Sequence, residues 1–231
     1  MKRRWLRVAV LATVAALCAA LAGTASARVD AQAASAAKVV KVGFIYSKTG
    51  GLSAFGQEEF DGFNAGLAYT KGKCGGYTID PTFVDDATDP AKAVAAAKDL
   101  IGQGYKIIGG TASSGIALQV APLAAQNNIL YISSAAAADA ITGVNRNTFR
   151  AGRQSIQDVL DASGIFPPKS SGKKVVVFAE DTAFGAGNVA AVNNIFGGKG
   201  HTVSKILVPF GAPDLTPYAQ QLKNSGADVV F

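Results

Sequence analysis

The chain has 231 residues, of which 49% are hydrophobic and 16% charged. That is a globular composition, enough for one large or two small domains and too apolar for a disordered chain. Its formal charge of +6 comes mostly from the amino terminus, where Lys2, Arg3, Arg4 and Arg7 stand; from Arg28 onward 18 basic residues face 16 acidic ones. With that near balance, and no basic run interleaved with aromatics, a nucleic-acid surface is excluded.

The opening MKRRWLRVAVLATVAALCAALAGTASA carries a basic start, an uncharged apolar run from Val8 to Ala22, and the small-x-small pattern Ala25-Ser26-Ala27. This is the layout of a secretory signal peptide, so residues 1–27 are expected to be cleaved and the protein exported, to the periplasm or the cell surface. The apolar run is shorter than the ~20 residues of a spanning helix. Cys18 lacks the Leu-x-(Gly/Ala)-Cys setting of a lipid attachment site, since Leu17 immediately precedes it. Residues 28–37 are Ala-rich without periodicity and read as a flexible spacer. Cys74 is then the one remaining cysteine, in the turn Lys71–Gly76. A bridge to something outside the chain is expected there rather than a nucleophile, because a single histidine is available to activate it.

The run VVKVGFIY, Val39 to Tyr46, predicts a first strand that ends in Ser47-Lys48-Thr49-Gly50-Gly51. A helix over 55–71 follows, with Phe60, Phe63 and Leu67 on one face. The turn SKTGGLSAFG lacks G-x-G-x-x-G, which argues against a dinucleotide-binding enzyme. Tyr77 to Val84 predicts a second strand, and Asp89-Pro90 opens a helix whose Ala93, Ala97, Leu100 and Ile101 share a face. Asp85, Asp86 and Asp89 invite a metal reading, but turn and capping roles account for each of them.

The segment KIIGGTASSGIALQVAPLAAQNNILYISS, Lys106 to Ser134, organises the rest. Two short apolar runs flank a stretch with helical spacing at Ile116, Val120 and Leu123, which predicts a strand, a small-residue turn, a helix and a parallel strand. Ser113 and Ser114 fall where that helix begins, so hydroxyls and unpaired N–H groups meet at the carboxyl end of a strand. A small carboxylate suits such a place; the plain alternative is an N-cap. Ala135, Ala136, Ala137 and Ala138 follow the second strand, either as a pocket floor without bulky side chains or as loose helix.

Thr148 to Arg153 reads as a crossing into a new α/β series. It comprises a helix over 155–162, a turn at Pro167-Pro168, a strand over 174–179, a helix carrying Val189, Val192 and Phe196, a strand over 201–208, a helix opened by Asp214 and Pro217, and a strand over 228–231. His201 is expected at the surface, at the sheet end opposite Ser113 and Ser114, so a Ser-His-Asp enzyme is not supported. The chain stops inside an apolar strand and reads as a fragment of something longer.

Five stretches, KVGFIYSKTGGLSAFGQEEFDGFNAGLAY, FVDDATDPAKAVAAAKDLIGQG, KIIGGTASS, VVVFAEDTAFGAGN and LTPYAQQLKNSGADVVF, together resemble the type I solute-binding proteins. The most similar group is the branched-chain amino-acid (leucine/isoleucine/valine) binding proteins of ABC transporters, and the likeness covers Val39 to Phe231. It implies an α/β fold of the type I periplasmic binding protein kind: two Rossmann-like lobes with parallel sheets, residues 38–149 forming lobe one and 150–231 an incomplete lobe two.

The resemblance also implies a function without chemistry: a monomeric receptor, needing no cofactor, that holds a small amino acid or related carboxylate between its lobes and serves a membrane permease. A ligand-sensing regulatory module of the same fold is the alternative. By the same likeness Ser114 binds the ligand carboxylate, Ser113 and Gly115 shape the turn, and Ala136 and Ala137 stand where a backbone carbonyl and a threonine hydroxyl hold the ligand. Phe55 and Phe184 stand at flanking aromatic positions that are often tyrosine, and Thr88 and Ala112 replace the cysteines of a disulfide found in some relatives.

Overall fold

The computed structural model describes residues 38–165 and 172–231; the expected leader, spacer and Pro167-Pro168 turn lie outside the described residues. These divide into two compact units, 38–40 with 73–78, and 41–72 with 79–165 and 172–231. In the smaller unit Lys73 and Cys74 pair antiparallel with Thr78 and Tyr77, and the Lys38 ammonium lies 5.6 Å from the centre of the Tyr77 ring. Cys74 is exposed and is bridged to no other cysteine among the described residues.

The elements run β1 (Lys38–Tyr46), α1 (Ser53–Tyr69), β2 (Lys73–Cys74), β3 (Tyr77–Asp85), α2 (Pro90–Gly102), β4 (Ile107–Gly110), α3 (Ser114–Gln126), β5 (Leu130–Ser133) and β6 (Thr148–Arg150). They continue with α4 (Ser155–Ser163), β7 (Lys174–Glu180), α5 (Ala183–Val192), β8 (Thr202–Val208), α6 (Thr216–Asn224) and β9 (Val229–Val230). The larger unit holds two sheets, one ordered β3-β1-β4-β5-β6 and the other β8-β7-β9. The pairings β1 with β4, β4 with β5, β5 with β6, β7 with β8 and β7 with β9 are all parallel.

Parallel strands joined by helices are covered on both faces, which is why β1 is apolar and buried without alternation from Val42 to Tyr46. Its alternate residues go to opposite sides. Phe44 and Tyr46 meet Phe60 and Phe63 of α1, with ring centres 4.6 Å apart for Phe44–Phe63 and 5.3 Å for Tyr46–Phe60. Ile45 turns the other way, into a core with Ala93, Ala97 and Leu100 of α2, Ile108 of β4 and Ile116 and Val120 of α3. A separate core joins Val159 of α4 to Val175 and Val177 of β7 and Val192 of α5. No helix among the described residues is long and apolar enough to cross a membrane.

Three expectations need correction. Thr148 to Arg150 is strand β6 of the first sheet, with Thr148, Phe149 and Arg150 in register with Tyr131, Ile132 and Ser133; three residues are too few to show a period, and only the connection after Arg150 crosses over. Phe196 lies past the end of α5 in a π-helical turn, Asn193–Gly197. His201 is buried, not at the surface: its ring centre is 5.8 Å from that of Phe196 and its Nδ1 accepts a bond from the Lys173 N–H.

Candidate functional site

The carboxyl ends of the strands in both sheets surround a cavity of about 340 Å³. On the first sheet, Leu52 and Phe55 follow β1, Thr88 and Pro90 follow β3, Ala112 to Gly115 follow β4, and Ala135 and Ala137 follow β5. Arg153 stands after β6; from the second sheet come Glu180, Thr182, Ala183 and Phe184 at the end of β7 and Phe210 beyond β8. In open parallel sheets this is the edge where ligands bind, because the helices that follow point their N-termini at it.

The turn after β4 is held in an unusual backbone state. Gly110 has φ +102° and Thr111 φ +72°, the latter rare for a β-branched residue. A Cβ on Gly110 would stand 2.1 Å from the Ile45 carbonyl oxygen. The strain at Thr111 is offset by its N–H, which donates to Ile45 O at 2.7 Å, and by its hydroxyl, 2.5 Å from that of Tyr131. Burial raises the Tyr131 pKa well above the phenol range, so that hydroxyl stays neutral and can share the bond.

The chain then enters α3. Ser113 is its N-cap, its hydroxyl accepting from the Ile116 N–H at 3.5 Å. Ser114 is 4% exposed and its Oγ accepts from the Ala138 N–H at 3.1 Å. With that acceptor role filled, the Ser114 O–H is the part left to donate, beside the N–H groups of Ser114 and Gly115 that the helix ladder cannot use.

The run Ala135 to Ala138 is not helical, which removes the loose-helix reading. The Ala137 carbonyl accepts from the N–H and hydroxyl of Ser155, and the Arg150 guanidinium donates to the carbonyls of Ala136 and Ala138 at 3.2 and 2.8 Å. Ala136 therefore does not line the cavity: it is 1% exposed and its carbonyl is already engaged. Partial burial lowers the Arg150 pKa, against the pull of Asp139.

Across from it, the loops after β1 and β3 are tied together. Desolvation disfavours the Asp85 carboxylate, but bonds from the Thr49 hydroxyl at 2.7 Å and the Ala87 N–H at 2.8 Å outweigh it and hold the group below its usual range. Asp86, fully buried, accepts from the Ser47 hydroxyl at 2.7 Å and the Thr88 N–H at 2.8 Å, and Asp89 caps α2. Each of the three aspartates thus accepts from backbone or hydroxyl donors.

On the second sheet Thr182 caps α5 by accepting from the Gly185 N–H at 3.2 Å. Arg153 pairs with Asp158 at 3.3 Å. The Phe210 ring lies so near Gly51 that a Cβ there would meet it at 2.7 Å, so loops from the two sheets touch at the rim.

Of the residues singled out from the sequence, Phe55, Ser113, Ser114, Gly115, Ala135, Ala137 and Phe184 line one cavity, and Ala136 does not. Leu52, Thr88, Pro90, Arg153, Glu180, Thr182 and Phe210 line it as well, unforeseen as contacts. Each lies at or after a strand's carboxyl end, so the rule used for Ser114, applied to every strand, would have found them.

Residues 39–231 match the periplasmic binding protein family. The chain belongs to that family. Within it, this periplasmic binding protein is of type I and groups with the branched-chain amino-acid binding proteins. It is 29% identical over 198 residues to Leu/Ile/Val-binding protein homolog 3 of Brucella melitensis, covering 83% of this chain and 53% of that relative. The chain thus spans about half the length of the curated relatives it matches.

The solute-binding protein of an ABC transporter from R. palustris, solved in complex with 4-hydroxybenzoate, superposes with a TM-score of 0.75 at 28% identity, covering 84% of this periplasmic binding protein and 53% of the other chain. A second from R. palustris, in complex with benzoate, gives 0.74 at 27%, covering 84% and 55%. A leucine binding protein of Thermotoga maritima shares the fold, with a TM-score of 0.73 at 23% identity over 83% of this chain and 55% of its own.

Proposed function

We propose that this periplasmic binding protein is the ligand-gripping part of an exported, monomeric receptor that delivers a small carboxylate with an apolar body to the permease of an ABC importer. The reading is supported above all by one arrangement: Ser114, at the N-terminus of α3, and Phe184, at the start of α5 on the other sheet, border the same cavity. The ligand carboxylate sits against the Ser114 hydroxyl and the N–H groups of Ser114 and Gly115, where the helix dipole favours negative charge. Phe55, Phe184 and Phe210 enclose its body.

One lobe extends from residue 38 through β6 and the other starts after it. Contacts from both exist together only when the lobes are closed, so ligand shifts the population toward the closed form that the permease reads. No bond in the ligand is made or broken.

An aromatic acid of the benzoate class fits the phenylalanine walls best, and structural relatives at 27–28% identity hold such acids. A branched-chain amino acid is the second reading, favoured by Glu180, a carboxylate bordering the cavity that suits an ammonium group. Ligand that binds only the folded state must raise the melting temperature. Benzoate is expected to raise it and neutral benzamide to leave it unchanged. A rise with leucine that Glu180→Gln abolishes, and none with benzoate, would give the second reading; no shift with either would remove the carboxylate class.

A further inference from the structure

We propose that Glu59 is a positioning residue for the cavity: from α1, its Oε1 holds the turn after β5, and through that turn the cavity floor at Ala135, in place. Glu59 is 8% exposed, and a carboxyl group is costly to bury without a task. Its Oε1 accepts from the Ser134 hydroxyl at 2.5 Å and from the Ala135 N–H at 2.8 Å, while Oε2, also buried, has no hydrogen-bond partner among the described residues. Asp86 repeats the arrangement on the other side, one oxygen holding the Thr88 N–H and Ser47 and Oδ2 without a partner. Both carboxyl groups therefore pin backbone that borders the cavity.

This pattern suits a neutral acid, which keeps one oxygen as acceptor while the other carries the proton. Burial raises the Glu59 pKa above 4.5; the bonds from Ser134 and Ala135 oppose this, and the charge of Asp86 adds to it. Asp86, with Asp85 and Asp89 beside it, is raised as well, again mainly by burial, and the Tyr131 phenol from β5 feels both charges. A carboxyl group raised in the folded state contributes stability that is complete below its unfolded pKa and is lost as pH climbs through the folded value. Ionising Glu59 puts a charge into a buried site, so the floor is firmest on the acid side.

The test is amide hydrogen exchange at Ala135 together with melting temperature against pH, on the whole chain. Glu59→Ala is expected to speed Ala135 exchange about tenfold or more while amides of β7, such as Val177, stay as in the parent. Glu59→Gln keeps an acceptor, so Ala135 stays protected, but the Glu59 share of the decline in melting temperature as pH climbs above about 4.5 disappears. Unchanged Ala135 exchange in Glu59→Ala, or superimposable pH profiles for Glu59→Gln and the parent, would overturn the assignment. Should Glu59→Ala fail to fold, the Glu59→Gln profile decides.

The consequence for ligand rests on the solute-binding reading: the benzoate dissociation constant rises about tenfold in Glu59→Ala. If the parent binds no benzoate, that reading fails, while exchange and the pH profile still decide the role of Glu59.

Discussion

At Ser114 a plain cap and a ligand contact are two uses of one residue type, and the hydrogen bonds separate them. Ser113 does the capping, while Ser114 takes the Ala138 N–H on its oxygen, and in the proposed function its O–H donates to the ligand. Ser114→Ala therefore loses two things. Melting should fall by an amount corresponding to about 1 kcal/mol for the lost bond from Ala138, and carboxylate affinity should drop by about 1.5 to 3 kcal/mol because the partner is charged. Calorimetric titration with benzoate measures the second; unchanged affinity would leave Ser114 a purely structural residue. Sequence pattern located Ser114 because the strand, turn and helix around it are local. It did not show that Glu59 reaches Ala135, since the two are 76 positions apart and only the packed fold makes them neighbours.

Among the elements, those with a long enough period were readable: α2 begins at Pro90 behind its Asp89 cap, and β7 spans the apolar run that opens the second series. The three residues of β6 were not, because so short a strand shows no period, and the burial of His201 was not, because it rests on the tertiary packing of Phe196 and the bond from Lys173 rather than on a local pattern. Two helices show how tightly strand ends and helix starts are joined. A Cβ on Gly56, in α1, would stand 2.0 Å from the Ser47 carbonyl oxygen, and one on Gly185, in α5, 1.8 Å from that of Glu180. Neither backbone oxygen can yield cheaply. Gly56→Ala and Gly185→Ala are each expected to destabilise by about 1 to 3 kcal/mol, the usual cost of overpacking, as read by denaturant unfolding. Gly62→Ala is the control, since nothing lies within 4 Å of its Cβ position; equal midpoints for all three would refute the close approach.

For the whole molecule, the proposed function rests on what the two sheets do together. Each lines part of the cavity: the start of α3 with Ser114 and Gly115 from the first, Arg153 from the crossing segment, and Glu180, Phe184 and Phe210 from the second. The rim contact of Phe210 with Gly51 joins them. Nuclear magnetic resonance titration of the labelled protein with benzoate tests this most directly. The amides of Ser114, Gly115 and Ala137 and those of Thr182 and Phe184 should shift together, with one saturation curve. Shifts confined to one sheet, or none at either, would contradict a shared cavity that binds a carboxylate.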